Sequence, residues 1–354
     1  MTSHPSLRLY ATTGDAVMRV DLPADGVPDV ITAIAGVGAQ CIAVDPANPQ
    51  RVVVGTFDDG AYLTSDGGQT WTQIGDGIPH KRVLSVAISG SDRVNGEGVL
   101  FAGTEPSNLY RSADNGTTWE SFPALTELPG APTWSFPPRP WTSHVRWIAP
   151  HPTDPNLIFA GIELGGVMRS TDGGQTWEDR KPGSQHDCHA LAIHLVAQDR
   201  IYEAAGGGIA MSLDRGDTWQ PADTGMDRHY GWGIAVDPVD PDLWYVSAAP
   251  GAGHAHNQER HSQAVLYRTR GVEGGARWEP LGNAADAGMA EEPPLHHPNA
   301  VMPYALRTVP GWPNGLIVGM RDGTILLSDD AGDNFLRLPL QLPGIIQLVA
   351  ASVA

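Results

Sequence analysis

Imidazole groups dominate the chemistry this chain can offer. It carries 13 histidines and only 2 cysteines, and several histidines are spaced so that two rings can reach one ion: His254-x-His256, His186-x-x-His189 and the adjacent His296-His297. Neutral imidazole is a common ligand of divalent metals, and Glu163 or Asp187 would add an oxygen donor. A bound ion would activate water or acidify a proton beside a carboxylate. The expected metal donors are His186, His189, His254 and His256, and a divalent metal is the one cofactor in view. Arg82, Arg146 and Arg321 stand in three separate segments and suit bidentate capture of a carboxylate. Asp58 or Asp59 with Glu105 or Glu163 offers an acid and a base for a glycosidic bond. Cys188 lies between Asp187 and His189, but neighbours on a strand face opposite sides, so Cys41 and Cys188 read as packed thiols.

A repeated phrase shows how residues so distant in sequence can meet. The pattern S-x-D-x-G-x-T-W occurs at 112–119, 170–177 and 212–219, and with Thr first at 64–71. A variant at 328–335 ends in Phe335, and a degenerate sixth copy spans 269–278. Successive closing aromatics are 42 to 59 residues apart, a period that predicts four-stranded blades around one axis. Within each copy the Asp accepts local hydrogen bonds, the Gly takes positive φ, and the Trp buries its ring where the next strand begins. The motif staples a hairpin.

Apolar runs such as 41–44, 83–88, 145–149, 190–193 and 233–236 precede Asp-Pro turns and second runs such as 52–55, 100–103 and 157–161. Six blades carry the motif. Runs 7–11, 17–20 and 345–351 predict a seventh, closed by both termini, and closure removes exposed sheet edges. The expected architecture is all-β: residues 1–354 form a single seven-bladed β-propeller, with six or eight blades as alternatives.

Blade connectivity sorts the polar residues. Motif hairpins and Asp-Pro turns fall on one face, the bottom; blade-to-blade connections fall on the other. Ten histidines map to the top, and only His4, His151 and His194 do not. The top also carries the long loops 120–144, 249–263 and 284–300. Long loops on a rigid scaffold commonly hold binding and catalytic groups. The expected site is therefore a central funnel with Glu163, His189, His229 and Tyr230 as catalytic groups. Arg82, His144, Arg146, Trp232 and Arg321 are expected to bind substrate. Trp134 and Trp141 in the first long loop either stack on a flat ligand or fold that loop onto the rim.

The repeat resembles the Asp box, or BNR repeat, of the sialidase-like β-propellers, and the likeness runs the length of the chain. In those families the Asp boxes are structural and lie away from the active site. Members include glycoside hydrolases, sorting-receptor domains and a photosystem assembly factor. Sialidases place three arginines, a Tyr nucleophile and a Glu in one site, parts that Arg82, Arg146, Arg321, Tyr230 or Tyr304, and Glu163 would fill. Their Arg-Ile-Pro motif is absent here, since Arg8 has no following Ile-Pro, so genuine sialidase activity is not expected. Xyloglucan-active relatives work in a cleft between two tandem propellers, and this chain has one.

Net charge is −18, with 22 Lys and Arg against 40 Asp and Glu, which argues against nucleic acid or an anionic membrane as partner. No apolar run is long enough to span a bilayer and no leader pattern is visible, so a cytoplasmic location is expected. The expected function is binding or processing of a small molecule or carbohydrate, by a metal-assisted hydrolase or lyase. The alternative is a protein-interaction scaffold that performs no chemistry.

Overall fold

The computed structural model describes residues 4–257, 259–271, 277–282, 295 and 298–353. Seven small antiparallel sheets surround one axis. Their innermost strands are Ala39–Asp45, Val83–Val94, Val145–Pro150, Cys188–Ile193, Tyr230–Val236, Pro303–Val309 and Gln347–Ser352. Each touches the next, and the last touches the first. The protein is a seven-bladed β-propeller.

The ring closes as the terminal runs predict. Gln347–Ser352 pairs with Leu7–Thr12, in register from Leu7 opposite Ser352 to Thr12 opposite Gln347. Val17–Leu22 and Asp29–Ile34 complete that blade. The last of these, largely exposed, has no counterpart among the predicted runs. In the other six blades the chain moves steadily from axis to rim, as in Ala39–Asp45, Asn48–Thr56, Ala61–Thr64 and Thr72–Gln73. The blade that begins at Val145 has three strands and a single outer bridge, Arg169 with Glu178.

Close approach of neighbouring blades dictates residue type. A Cβ at Gly55 would lie 2.5 Å from Cys41 Sγ and 2.7 Å from Val83 O, and one at Gly161 would lie 2.6 Å from Cys188 Sγ. Only glycine lets the next inner strand pack there. Both thiols are free and buried, and burial pushes that of Cys41 up to about 12. They are packing groups, as the sequence reading expects.

The bottom hairpins share one geometry. Ser212 Oγ accepts from Gly216 N–H (2.8 Å) and donates to Asp214 Oδ1 (2.8 Å), while the Thr218 N–H (2.8 Å) and hydroxyl (2.6 Å) donate to the same carboxylate. The same contacts recur around Asp66, Asp114 and Asp172, and around Asp330 with the Asn334 side-chain amide in place of the Thr hydroxyl. The sixth copy lies partly outside the described residues. Two of the closing tryptophans tie neighbouring blades together: Trp119 Nε1 donates to Ile74 O and Trp278 Nε1 to Ala222 O, both at 2.6 Å.

Two buried histidines complete the bottom. His151 Nε2 bonds Gln198 O at 3.0 Å, and its Nδ1 accepts from the backbone of Asp154 at 3.1 Å. His194 repeats this one blade on, with Nε2 to Asp237 O at 3.0 Å and Nδ1 accepting from Ala197 at 2.7 Å. Burial holds both rings neutral, below the ordinary imidazole range. Among the described residues, no helix is long and apolar enough to cross a membrane.

Candidate functional site

The inner strands begin at the top around a cavity of about 730 Å³. Inner strands supply Arg146, Tyr230, Trp232 and Tyr304; second-strand ends supply Glu163 and Arg321; loops supply Phe57, Phe136, Arg139, Asp187 and His256. A second cavity of about 360 Å³ opens at the bottom, lined mainly by aliphatic parts of the same strands. Arg146 lines both.

One wall is ionic. His144 Nε2 stands 3.0 Å from Glu163 Oε2, and Arg146 Nε stands 3.9 Å from the same oxygen. Burial alone would raise the Glu163 carboxyl, but the His144 hydrogen bond and the neighbouring positive charge outweigh it and hold it down at about 2. Glu163 is therefore a carboxylate at neutral pH, fit to be a base or a ligand and unfit to be an acid. Leu164, next to it, adopts φ 46° and directs its N–H toward Asp187 Oδ1 at 3.3 Å. His189 Nδ1 bonds Gly231 O at 2.6 Å, and its Nε2 stands 3.4 Å from Asp187 Oδ2. One donor atom each from Glu163, Asp187 and His189 lie within 4.8 Å of one another.

The opposite wall is aromatic. His256 bridges two tyrosines, with Nε2 to Tyr230 Oη and Nδ1 to Tyr304 Oη, both 2.8 Å. Its ring packs edge-on against Trp232 at 4.4 Å between centroids. Burial, with help from nearby cations, pushes the His256 imidazole down to about 4, so the ring is neutral. Burial raises both tyrosines, Tyr304 to about 12, so both stay protonated. The Arg146 guanidinium lies 4.7 Å over Trp232 and that of Arg321 lies 5.3 Å over Tyr304. The result is a set of flat apolar faces edged by donors.

Several expected site residues lie elsewhere. His229 is more than half exposed and bonds Asp223 at 2.9 Å, pointing away from the cavity although Tyr230 beside it points in. That is the strand alternation at work. His186 is exposed, separated from His189 by the turn into the strand. His254 lines a separate depression of about 270 Å³ with Arg260. The four expected metal donors thus do not assemble: His189 joins carboxylates, and His256 is engaged by two hydroxyls. His296 and His297, and most of loop 284–300, lie outside the described residues. Arg82 is neutralised by Glu105 at 2.8 Å and Asp58 at 3.3 Å and stacks on Phe57, so three arginines do not converge on one substrate carboxylate.

Arg139 is an addition. It comes from loop 120–144, lines the cavity, and makes a two-point contact with buried Glu105, with Nη2 at 2.6 Å from Oε2. Burial would raise Glu105, but Arg139 and Arg82 hold it below the usual carboxylate range. A loop has no period to betray which residue faces inward, and the Pro-rich sequence around Arg139 was the available signal. Trp134 from this loop is buried against the blade, whereas Trp141 is 79% exposed.

The BNR/Asp-box repeat family matches residues 168–179, the hairpin that carries Asp172. The xyloglucanase Xgh74A of Acetivibrio thermocellus is 28% identical over 308 residues, covering 73% of this chain and 34% of its own length. The chain thus spans about a third of that relative. Among solved structures, an ancestral GH74 enzyme aligns with a TM-score of 0.62 at 17% identity, over 93% of this chain and 39% of that one. YCF48 bound to D1 peptide aligns with a TM-score of 0.57 at 15% identity, over 94% and 86%. These two likenesses carry the propeller fold.

Proposed function

We propose that this Asp-box propeller binds an oligosaccharide in its top cavity and processes it by hydrolysis. The observation that carries the reading is the pairing of an aromatic wall with an ionic one across about 730 Å³. Sugar rings present apolar C–H faces and polar edges. Trp232 and Tyr304 suit the faces, and Arg146, Arg321, Glu163 and Asp187 suit the hydroxyls. The sequence relationship to a xyloglucanase supports a glucan as the first substrate to try.

Within that reading Glu163 is the base, because it is ionised. The proton donor in reach is Tyr230, protonated at neutral pH. The experiment is release of reducing ends from xyloglucan oligosaccharides by the wild type and by Glu163→Gln. The reading expects turnover that falls at least about 100-fold in the variant, with the melting temperature held. Equal rates in the two proteins, or no cleavage of any glucan, would remove the hydrolytic part.

A second reading has one observation in its favour. Trp141, 79% exposed at the rim, is an apolar anchor of the kind that protein interfaces use. Under it, Trp141→Ala would release a protein partner while leaving saccharide binding intact.

A further inference from the structure

The ionic wall contains a nitrogen with no partner. His189 is 1% exposed, and its Nδ1 is engaged with Gly231 O at 2.6 Å, which leaves Nε2 as the ring nitrogen turned toward the carboxylates. That Nε2 makes no hydrogen bond. It faces Asp187 Oδ2 at 3.4 Å, with a carboxylate oxygen of Glu163 in the same group. A buried ring nitrogen without a hydrogen bond, beside two part-buried carboxylates, is a gap that a cation fills.

We propose that Glu163, Asp187 and His189 hold one divalent cation of the manganese or zinc class, with its open coordination positions facing the cavity. The spacing suits it. Two ligands about 2.1 Å from a tetrahedral ion stand about 3.4 Å apart, which is the His189–Asp187 separation. Each ligand is oriented by a further contact: His189 by Gly231 O, Asp187 by the Leu164 N–H, Glu163 by His144 Nε2. Such outer contacts are characteristic of metal centres. One imidazole with two carboxylates favours manganese or zinc over calcium, which takes oxygen alone, and over copper(I), which prefers sulfur. Two carboxylates offset the dication, while Arg146, 3.9 Å from Glu163, opposes it. Of the four histidines that the spacing suggested, only His189 takes part, together with both of the oxygen donors offered beside them, Glu163 and Asp187.

The inference rests on the cavity being the working site, and it is tested with metal alone. Chelator-stripped full-length protein is titrated with MnCl₂ by calorimetry, and bound ion is read by electron paramagnetic resonance. One saturable ion per chain is expected, weakened at least about tenfold in Asp187→Asn and in His189→Ala. Glu163→Gln is expected to weaken it too, while His186→Ala, His254→Ala and His229→Ala leave it unchanged. Melting temperatures establish that each variant folds, and the near-isosteric Asp187→Asn carries the test if His189→Ala does not. Absence of saturable binding, or binding that survives Asp187→Asn and follows the exposed histidines, overturns the site. Saccharide bound by metal-free protein with no metal uptake would overturn the ion and leave the proposed function. Metal uptake without saccharide binding would do the reverse.

Discussion

The bottom and top of this propeller use the same residue types to opposite ends. At the bottom, His151 and His194 satisfy both ring nitrogens, and each Asp-box carboxylate collects donors from its own hairpin. At the top, His144 and His189 are equally buried, yet each leaves one ring nitrogen without a hydrogen bond. The bottom aspartates lie below the usual carboxylate range through local bonds, led at Asp114, at about 2, by the Thr118 hydroxyl. Glu163 reaches about 2 against its own burial, through His144 and Arg146 of its own blade and His189 of the next. A buried polar group that is locally satisfied stabilises a turn. One left incomplete by its own chain beside two carboxylates, as at His189, is open to a ligand.

Substitutions should separate the two faces. The largest effect is expected at Glu163→Gln, with turnover down at least about 100-fold and little change in melting temperature. The corresponding bottom change, Ser212→Ala, strands the buried Gly216 N–H and should cost about 1–3 kcal/mol in denaturant unfolding, with saccharide affinity untouched. An activity loss in Ser212→Ala with stability intact would erase the distinction between the faces. Trp232→Ala removes the central flat surface of the aromatic wall and should weaken saccharide binding about tenfold, or about 1.4 kcal/mol.

Acid should act in two stages. His151, His194 and His256 are depressed below 6.5, so in mild acid the unfolded chain binds more protons than the folded one and stability falls as pH falls. For His256 that window runs from 6.5 down to about 4. The Asp-box carboxylates add their share at lower pH: their contribution is full above the unfolded carboxylate range and disappears as pH drops through their folded values. Urea midpoints across this range, with ring resonances followed by NMR, should show His256 titrating near 4. A His256 ring that titrates at 6.5 would mean that it does not bridge the two tyrosines.

The scaffold was readable because it is periodic. The Asp-box spacing gives the blades, and terminal runs 7–11 and 345–351 give the closure, since an unpaired strand at each end needs the other. Of the histidines credited to the top, His144 and His189 each keep one ring nitrogen without a hydrogen bond, whereas the buried bottom pair, His151 and His194, keep none. What the sequence hid was orientation at single positions. His229 and Tyr230 are adjacent and face opposite ways. His186 and His189 straddle a turn, so their spacing carries no common direction. Arg139 sits in a loop without a period, and the carboxylates that meet His189 come from Glu163 in one blade and from Asp187, two residues away on its own.

The most direct test of the top cavity as the working site is calorimetric titration of xyloglucan oligosaccharide into wild type, Trp232→Ala and Ser212→Ala. Saturable one-to-one binding is expected in the wild type, weakened about tenfold in Trp232→Ala and unchanged in Ser212→Ala. Binding indifferent to Trp232→Ala, or no binding by the folded wild type, would contradict the account.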